Sequence, residues 1–323
     1  MRRFLLRRLA QAALTVLLVA TVAFALIHLA PGDPFSATLE QTTVSDEIRE
    51  RWRAAYGFDR PLHEQYVRYL ANTLRGDFGY SFSLHRPVAS ALASAIPNTL
   101  LLMGVAVMGS FALGIAVGVI QAVRRGSMTD RVLAGGSLFF YSMPEFWLGL
   151  MMLLIFAHWI PIFPPGGVID PVMHDYLGVW GQLGDRLAHL ALPALTLMLV
   201  SGAVVARYQR SAVLDVVHQD FVRTARAKGV SERAVIAHHV LRNALLPVIT
   251  IFGLAFPALL GGAVFVEKVF AWPGMGLLAV NAIATRDYPL VVATVVIAGV
   301  MVSLGSMLAD VLYAAADPRL RSG

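Results

Sequence analysis

Residues 97–123 read PNTLLLMGVAVMGSFALGIAVGVIQAV, a run without one charged side chain that closes on Arg124-Arg125. A helix that crosses the hydrocarbon of a bilayer needs about 20 predominantly apolar residues, and a helix apolar on every face belongs in lipid or deep inside a large protein. Working outward, the same test selects Leu9–Ala30, Val132–Ile160, His189–Ala206, Leu245–Val266 and Pro289–Ala314. The pattern therefore predicts an all-α polytopic membrane protein with six transmembrane helices. Composition agrees: of 323 residues 57% are hydrophobic and only 14% charged, against about 25% charged in an ordinary soluble domain.

An even number of spans puts both termini on one side. Arg and Lys in the short connections say which. Arg2, Arg3, Arg7 and Arg8 precede the first span, Arg124, Arg125 and Arg131 follow the second, seven basic residues lie between Arg207 and Arg242, and Arg319 and Arg321 close the chain. The other face offers Arg186, Lys268 and Arg286 in its short loops, so the N and C termini are expected in the cytoplasm. The net charge of +6 is thereby read as topology and not as a nucleic-acid surface. MRRFLLRRL resembles the basic region of a cleaved signal peptide, but the apolar run after it is longer than such a segment needs and further runs follow. It is read as an uncleaved first span.

Three regions follow: residues 1–30, residues 31–96 outside the membrane, and a five-helix core over 97–323. In the second, Leu62, Tyr66, Tyr69, Leu70 and Leu74 share a helical face, with Trp52, Tyr56, Phe58, Phe78, Tyr80 and Phe82 available to pack against it. That region is either an aromatic cap on the outer mouth or a platform for a receptor. Between the fifth and sixth spans, Gly276 to Ala284 is apolar but too short to cross, which predicts a short helix at or re-entering the outer surface. No cysteine is present, so disulfides and thiolate metal sites are excluded.

The cytoplasmic connection over about 207–246 is long and reads RYQRSAVLDVVHQDFVRTARAKGVSERAVIAHHVLRNALL through Leu246. Val213, Val217, Phe221 and Ala225 give Ser211–Lys228 a helical apolar spacing. Gly229 supplies a turn, Ser231 a cap, and Arg233–Asn243 a second helix. A stiff hairpin of this kind suits the transfer of force to another protein; the other reading is an amphipathic hairpin resting its arginines on anionic lipid.

Arg223-Thr224-Ala225-Arg226-Ala227-Lys228-Gly229, followed by Leu241-Arg242-Asn243-Ala244-Leu245-Leu246-Pro247, resembles the EAA loop of binding-protein-dependent ABC importer permeases of the dipeptide, oligopeptide and nickel family. The likeness runs end to end through His28–Pro34, Arg75–Ser81, Ser142–Gly149, Leu192–Thr196, Phe270–Gly274, Arg286–Pro289 and Asp317–Arg319. Arg223 stands where the general loop pattern has Glu, and Pro247 lies further from the glycine than in that pattern; both are habits of this subfamily. The resemblance implies a type I ABC importer permease fold in a bacterial-type inner membrane. Its implied partners are a second homologous permease, two nucleotide-binding subunits that hold ATP and Mg, and an extracytoplasmic substrate-binding protein, with no cofactor in this chain. It further implies that Asp220, Arg223, Thr224, Ala225, Arg226, Ala227, Lys228 and Gly229 meet the ATPase. Asp77, Trp272, Arg286 and Asp287 become candidates for docking the receptor. Peptides are the implied substrates, with nickel or a nickel chelate as the alternative.

The chain's own residues support that division of labour. Lys228 and Lys268 are its only lysines, and neither sits in the Gly-Lys-Ser/Thr of a phosphate-binding loop. Glu145, inside the third span after Pro144, would cost roughly 2.5–3.5 kcal/mol as a lone carboxylate. With Ser142 and Pro144 it either lines the pathway, meeting a cationic end of the substrate, or is protonated or tied to a neighbouring helix. His238-His239 point apart on a helix and are read as surface, His28 and His158 as interfacial, and Asp310 as paired with an Arg or facing a partner. No catalytic set or metal site is expected. A secondary transporter, the competing class, should show matching broken spans in two halves, and the long loop at 207–246 has no counterpart.

Overall fold

The computed structural model describes residues 2–29, 60–249, 251–252 and 263–316. The leader motif from Ala30 to Pro34, the packing residues Trp52, Tyr56 and Phe58, half of the span expected over Leu245–Val266, the tail with Asp317–Arg319 and Arg321, and the side chain of Asp310 lie outside the described residues.

Helix α1 covers Arg2–Leu29 and α2 Leu62–Leu74. A two-residue-stranded hairpin follows, β1 Tyr80–Ser81 antiparallel to β2 Arg86–Pro87, and runs directly into α3, Val88–Val123. Next come α4, Met128–Ser142, and α5, Glu145–Leu153, prolonged by a π turn over Leu154–Trp159. Helix α6 is Val179–Val217 and α7 Asp220–Ala227. Helix α8, Glu232–Ala234, continues through a π turn, Val235–Val240, into α9, Leu241–Ala244. The chain closes with α10 Val264–Val269, α11 Met275–Ala284 and α12 Tyr288–Ala316.

Among the described residues, α1, α3, α6 and α12 are long and apolar enough to cross a membrane, and α4 with α5 makes a fifth span if the pair is counted as one. That third segment, expected as a single helix over Val132–Ile160, is bent by 105°. Pro144 has no N–H to donate and disfavours helical backbone at Met143, which sits at φ −88°, ψ 135°. Pro97 behaves differently. Expected at the start of a span, it lies inside α3, whose first turns extend back to Val88; prolines of this kind are tolerated where neighbouring helices re-satisfy the freed backbone.

The central packing is α3 against α6. A Cβ on Gly114 would stand 2.5 Å from Val205 Cβ, and one on Gly118 would stand 2.6 Å from the carbonyl of Ala206. The two backbones meet because these positions carry no side chain, as in small-xxx-small packing of membrane helices. Helix α2 packs with the middle of its expected face, Leu70 joining a cluster with Ala20 and Ala23 of α1, and leaves its ends open. Tyr66 and Tyr69 do pack, against Phe24 of α1 at 5.3 and 5.5 Å between ring centroids, and Thr21 Oγ1 lies 2.7 Å from Tyr66 Oη. Leu62 and Leu74 are exposed. His28, read as interfacial, reaches Gln65 Oε1 at 3.0 Å.

Candidate functional site

Polar structure gathers in the hairpin formed by α7 to α9, at the far end of the bundle, where α3, α10, α11 and α12 converge, and around Asp185, which pairs with His174 and His189 at 2.6 and 3.1 Å.

The hairpin is built in three steps. Helix α6 runs on to Val217, and His218-Gln219 then breaks it, Gln219 being extended at φ −74°, ψ 153°. The sequence had suggested one helix from Ser211 to Lys228; the break lets α7 turn while Val222 and Ala225 stay buried. Helix α7 ends in a complete Schellman closure: Val230 N donates to Ala225 O at 3.3 Å, Gly229 N donates to Arg226 O at 2.9 Å, and Gly229 takes φ +77°. Ser231 occupies the expected cap position of α8, but its side chain makes no capping bond. Across the turn, Arg226 donates from Nε to Glu232 Oε2 at 3.0 Å and from a terminal nitrogen to Oε1 at 2.7 Å. That bidentate pair holds the Glu232 carboxyl below the usual range. Val222, Ala225, Val235, Val240 and Ala244 bury together with Val213 and Val216 of α6, so the hairpin is packed onto the end of that helix.

Of the residues assigned to coupling, Asp220, Arg223, Thr224, Arg226, Ala227, Lys228 and Gly229 are exposed along α7 and its turn, and Ala225 is turned inward. It packs in the cluster that joins the hairpin to α6. Next to the hairpin, Asp130 Oδ2 accepts from Gly126 N at 3.0 Å and from Arg210 at 3.2 Å, joining the α3–α4 turn to α6.

At the far end a carboxylate with no exposed surface organises three elements. Glu267 Oε1 accepts from Thr99 Oγ1 of α3 at 2.9 Å, and its Oε2 accepts from Leu277 N in the first turn of α11 at 3.0 Å. Thr99 Oγ1 in turn accepts from Met275 N at 2.7 Å. Trp272 Nε1 donates to Asn98 O, and Asn98 Nδ2 to Pro273 O, both at 3.0 Å. The short helix expected over Gly276–Ala284 is therefore present, and it is tied at its N-terminus by groups from two other elements. Asp287 makes a second knot. Its Oδ2 accepts from Ser81 Oγ at 2.6 Å, Ser83 Oγ at 2.7 Å and Ser83 N at 3.0 Å, and its Oδ1 accepts from Leu290 N at the start of α12.

These geometries correct part of the expected docking set. Trp272 is fully buried and Asp287 2% exposed, so neither side chain is offered to a receptor; both fasten the far end. Asp77 and Arg286 are exposed, Arg286 in left-handed backbone at φ 54°. In the broken third span Ser142 and Pro144 are exposed, and Glu145, half-buried at the first position of α5, has no hydrogen-bond or ion-pair partner among the described residues. Glu267, Thr99, Ser81, Ser83 and Asp130 were not singled out from sequence. The available signal was a lone carboxylate closing an apolar run just before Trp272-Pro273-Gly274.

The profile described as "Binding-protein-dependent transport system inner membrane component" matches residues 114–322, and the N-terminal profile of the same system matches residues 1–103. The chain belongs to that family. It is 40% identical over 321 residues, 99% of each chain, to the oligopeptide transport system permease protein AppB of Bacillus subtilis (strain 168). To the dipeptide transport system permease protein DppB of Escherichia coli (strain K12) it is 38% identical over 336 aligned positions, again 99% of each chain. Among solved structures, an inward-facing form of the MetNI methionine ABC transporter superposes with a TM-score of 0.52 at 18% identity, covering 70% of this chain and 96% of that one, which is a likeness of fold. A component of this family is the permease subunit of an ABC importer, a multi-pass inner-membrane protein. It is not itself the ATPase and works with an ATPase and a substrate-binding protein.

Proposed function

We propose that this chain forms half of the translocation pathway of an ATP-driven importer of dipeptides and oligopeptides. It works beside a second homologous permease, two nucleotide-binding subunits that bind ATP and Mg, and an extracytoplasmic receptor. The observation that carries this reading is the α7–α9 hairpin, closed at a glycine in left-handed backbone, bridged by Arg226 and Glu232, and packed on the end of α6. Such a lever delivers a push on the exposed face of α7 to a helix that crosses the membrane without losing it in a loose loop. The termini and the hairpin are assigned to the cytoplasm, where the exposed residues Asp220, Arg223, Thr224, Arg226, Ala227, Lys228 and Gly229 meet the ATPase.

The names of the relatives support peptides over nickel as the cargo. Glu145 fits this cargo: a carboxylate at the break of a span, without a partner among the described residues, is positioned to attract a peptide's ammonium end. Asp77 and Arg286 are the exposed docking candidates for the receptor. The test is ATP-dependent uptake in vesicles holding the complete transporter. Gly229→Pro, which cannot adopt φ +77°, and Arg226→Glu should each abolish dipeptide uptake while ATP hydrolysis continues; unchanged uptake in both variants overturns the coupling role. Glu145→Gln should raise the KM for peptides with a free amino terminus at least severalfold, and no change removes it from the pathway.

A further inference from the structure

At the base of the hairpin, where α3 ends, lies an open groove of about 370 Å³ floored by Val119, Ile120, Ile236 and Leu241 and edged by Arg124 and Arg233. The pairing of apolar floor and two guanidinium groups is not explained by the hairpin's own fold. The carboxylates nearest in sequence are engaged elsewhere: Glu232, beside Arg233, by Arg226, and Asp130 by Arg210 and the Gly126 amide. Among the described residues Arg124 reaches only the Thr129 hydroxyl, at 3.4 Å, and Arg233 pairs with no acidic group.

The depth of the groove identifies what would compensate that charge. Arg124 follows directly on the last turn of an apolar membrane helix, so its guanidinium stands at the level of lipid headgroups. Leading away from the groove along α3, Val123, Ile120 and Leu113 form an exposed apolar strip on which an acyl chain can lie. We propose that this groove binds an anionic phospholipid of the adjoining leaflet, its phosphate between Arg124 and Arg233 and one chain along α3. The lipid would then brace the base of the hairpin while the exposed face of α7 remains free for a protein. The inference does not depend on the identity of the cargo.

The complete transporter, purified and placed in nanodiscs of phosphatidylcholine with a minor fraction of phosphatidylglycerol, provides the test by native mass spectrometry and by ATPase assay. The Arg124→Gln, Arg233→Gln double variant should retain anionic lipid with affinity reduced roughly 25-fold, about fivefold for each arginine near the surface. Arg125→Gln, a single charge change beside the groove, should cost no more than the roughly fivefold of one surface arginine. If the double variant fails to assemble, a photoreactive residue at position 236 of the otherwise native chain gives the answer: cross-linking to phospholipid supports the site. Cross-linking to another subunit overturns it, as does equal retention of phosphatidylglycerol by native and double-variant transporters.

Discussion

The far end and the hairpin end of this molecule treat buried polar groups in opposite ways. At the far end Glu267 and Asp287 are each shared among two or more elements, with protein donors at both oxygens. At the hairpin end, among the described residues, the fully buried Gln209 finds no partner for either side-chain atom and one oxygen of Asp130 and the Nε of Arg210 are unmatched, while the bridge from Arg226 to Glu232 lies exposed. A satisfied buried network rigidifies what it joins, whereas unmatched buried groups are costly and gain from any rearrangement that supplies a partner. The contrast describes a fixed frame at one end and an adjustable lever at the other. That is the division an alternating pathway requires if one end receives the push and the other defines the opening.

The frame is broken most severely by Glu267→Ala. It strands Thr99 Oγ1 and the Leu277 amide in a dry site, and leaving buried donors unpaired costs about 1–3 kcal/mol each. We expect a loss of about 2–6 kcal/mol, read as a lower unfolding temperature of the detergent-solubilised complex. Asp287→Ala follows at about 2–3 kcal/mol, with hydrogen exchange rising selectively at residues 80–87 while the hairpin around Gly229 is unaffected. A rise at both places would mean that the two ends are not independent. Gly118→Ala tests the connection between them: the added methyl meets the Ala206 carbonyl, and overpacking of this kind costs about 1–3 kcal/mol. It should reduce transport more than ATP hydrolysis, because it separates the helix that bears the lever from the helix that begins at the frame.

The smallest effect is expected from Glu232→Gln. An exposed ion pair contributes at most about 1 kcal/mol, so folding should change little. The pH dependence has a definite sign. Arg226 lowers the folded-state value of Glu232 below the unfolded one, so the contribution is complete above the ordinary carboxylate range, near pH 4.3, and is lost as pH falls through the lower folded value. Native hairpin exchange rates should therefore be flat from pH 7 to about 5, after correction for intrinsic exchange, and rise below 4; Glu232→Gln should lack that rise.

Sequence alone carried much of this architecture, because its signals are local. Gly229 after a helical spacing announced the turn and the short apolar stretch before Ala284 announced α11, whereas Pro144 was read inside one continuous span that the structure bends by 105°. What sequence did not carry is contact between distant positions. Thr99 and Glu267 are 168 residues apart, and nothing in the neighbourhood of either tells that one hydroxyl will sit between a carboxylate and the N-terminus of a third element. The same limit misassigned Trp272 and Asp287 to an exposed surface. A polar or aromatic residue in a loop motif reads alike whether it faces water or fastens two loops together. Gln209, in the middle of an ordinary helical stretch, gave no sign that it would be enclosed.

The bond from Ser81 to Asp287 joins positions 206 residues apart. Chains emerge from the ribosome at roughly 5–20 residues per second, so the first hairpin reaches its side of the membrane about 10–40 s before its anchor has been synthesised. Until then Ser81 and Ser83 must be hydrated or held by a chaperone. A chain truncated before Asp287 would keep its early helices in the bilayer and leave that hairpin open to quality-control proteases.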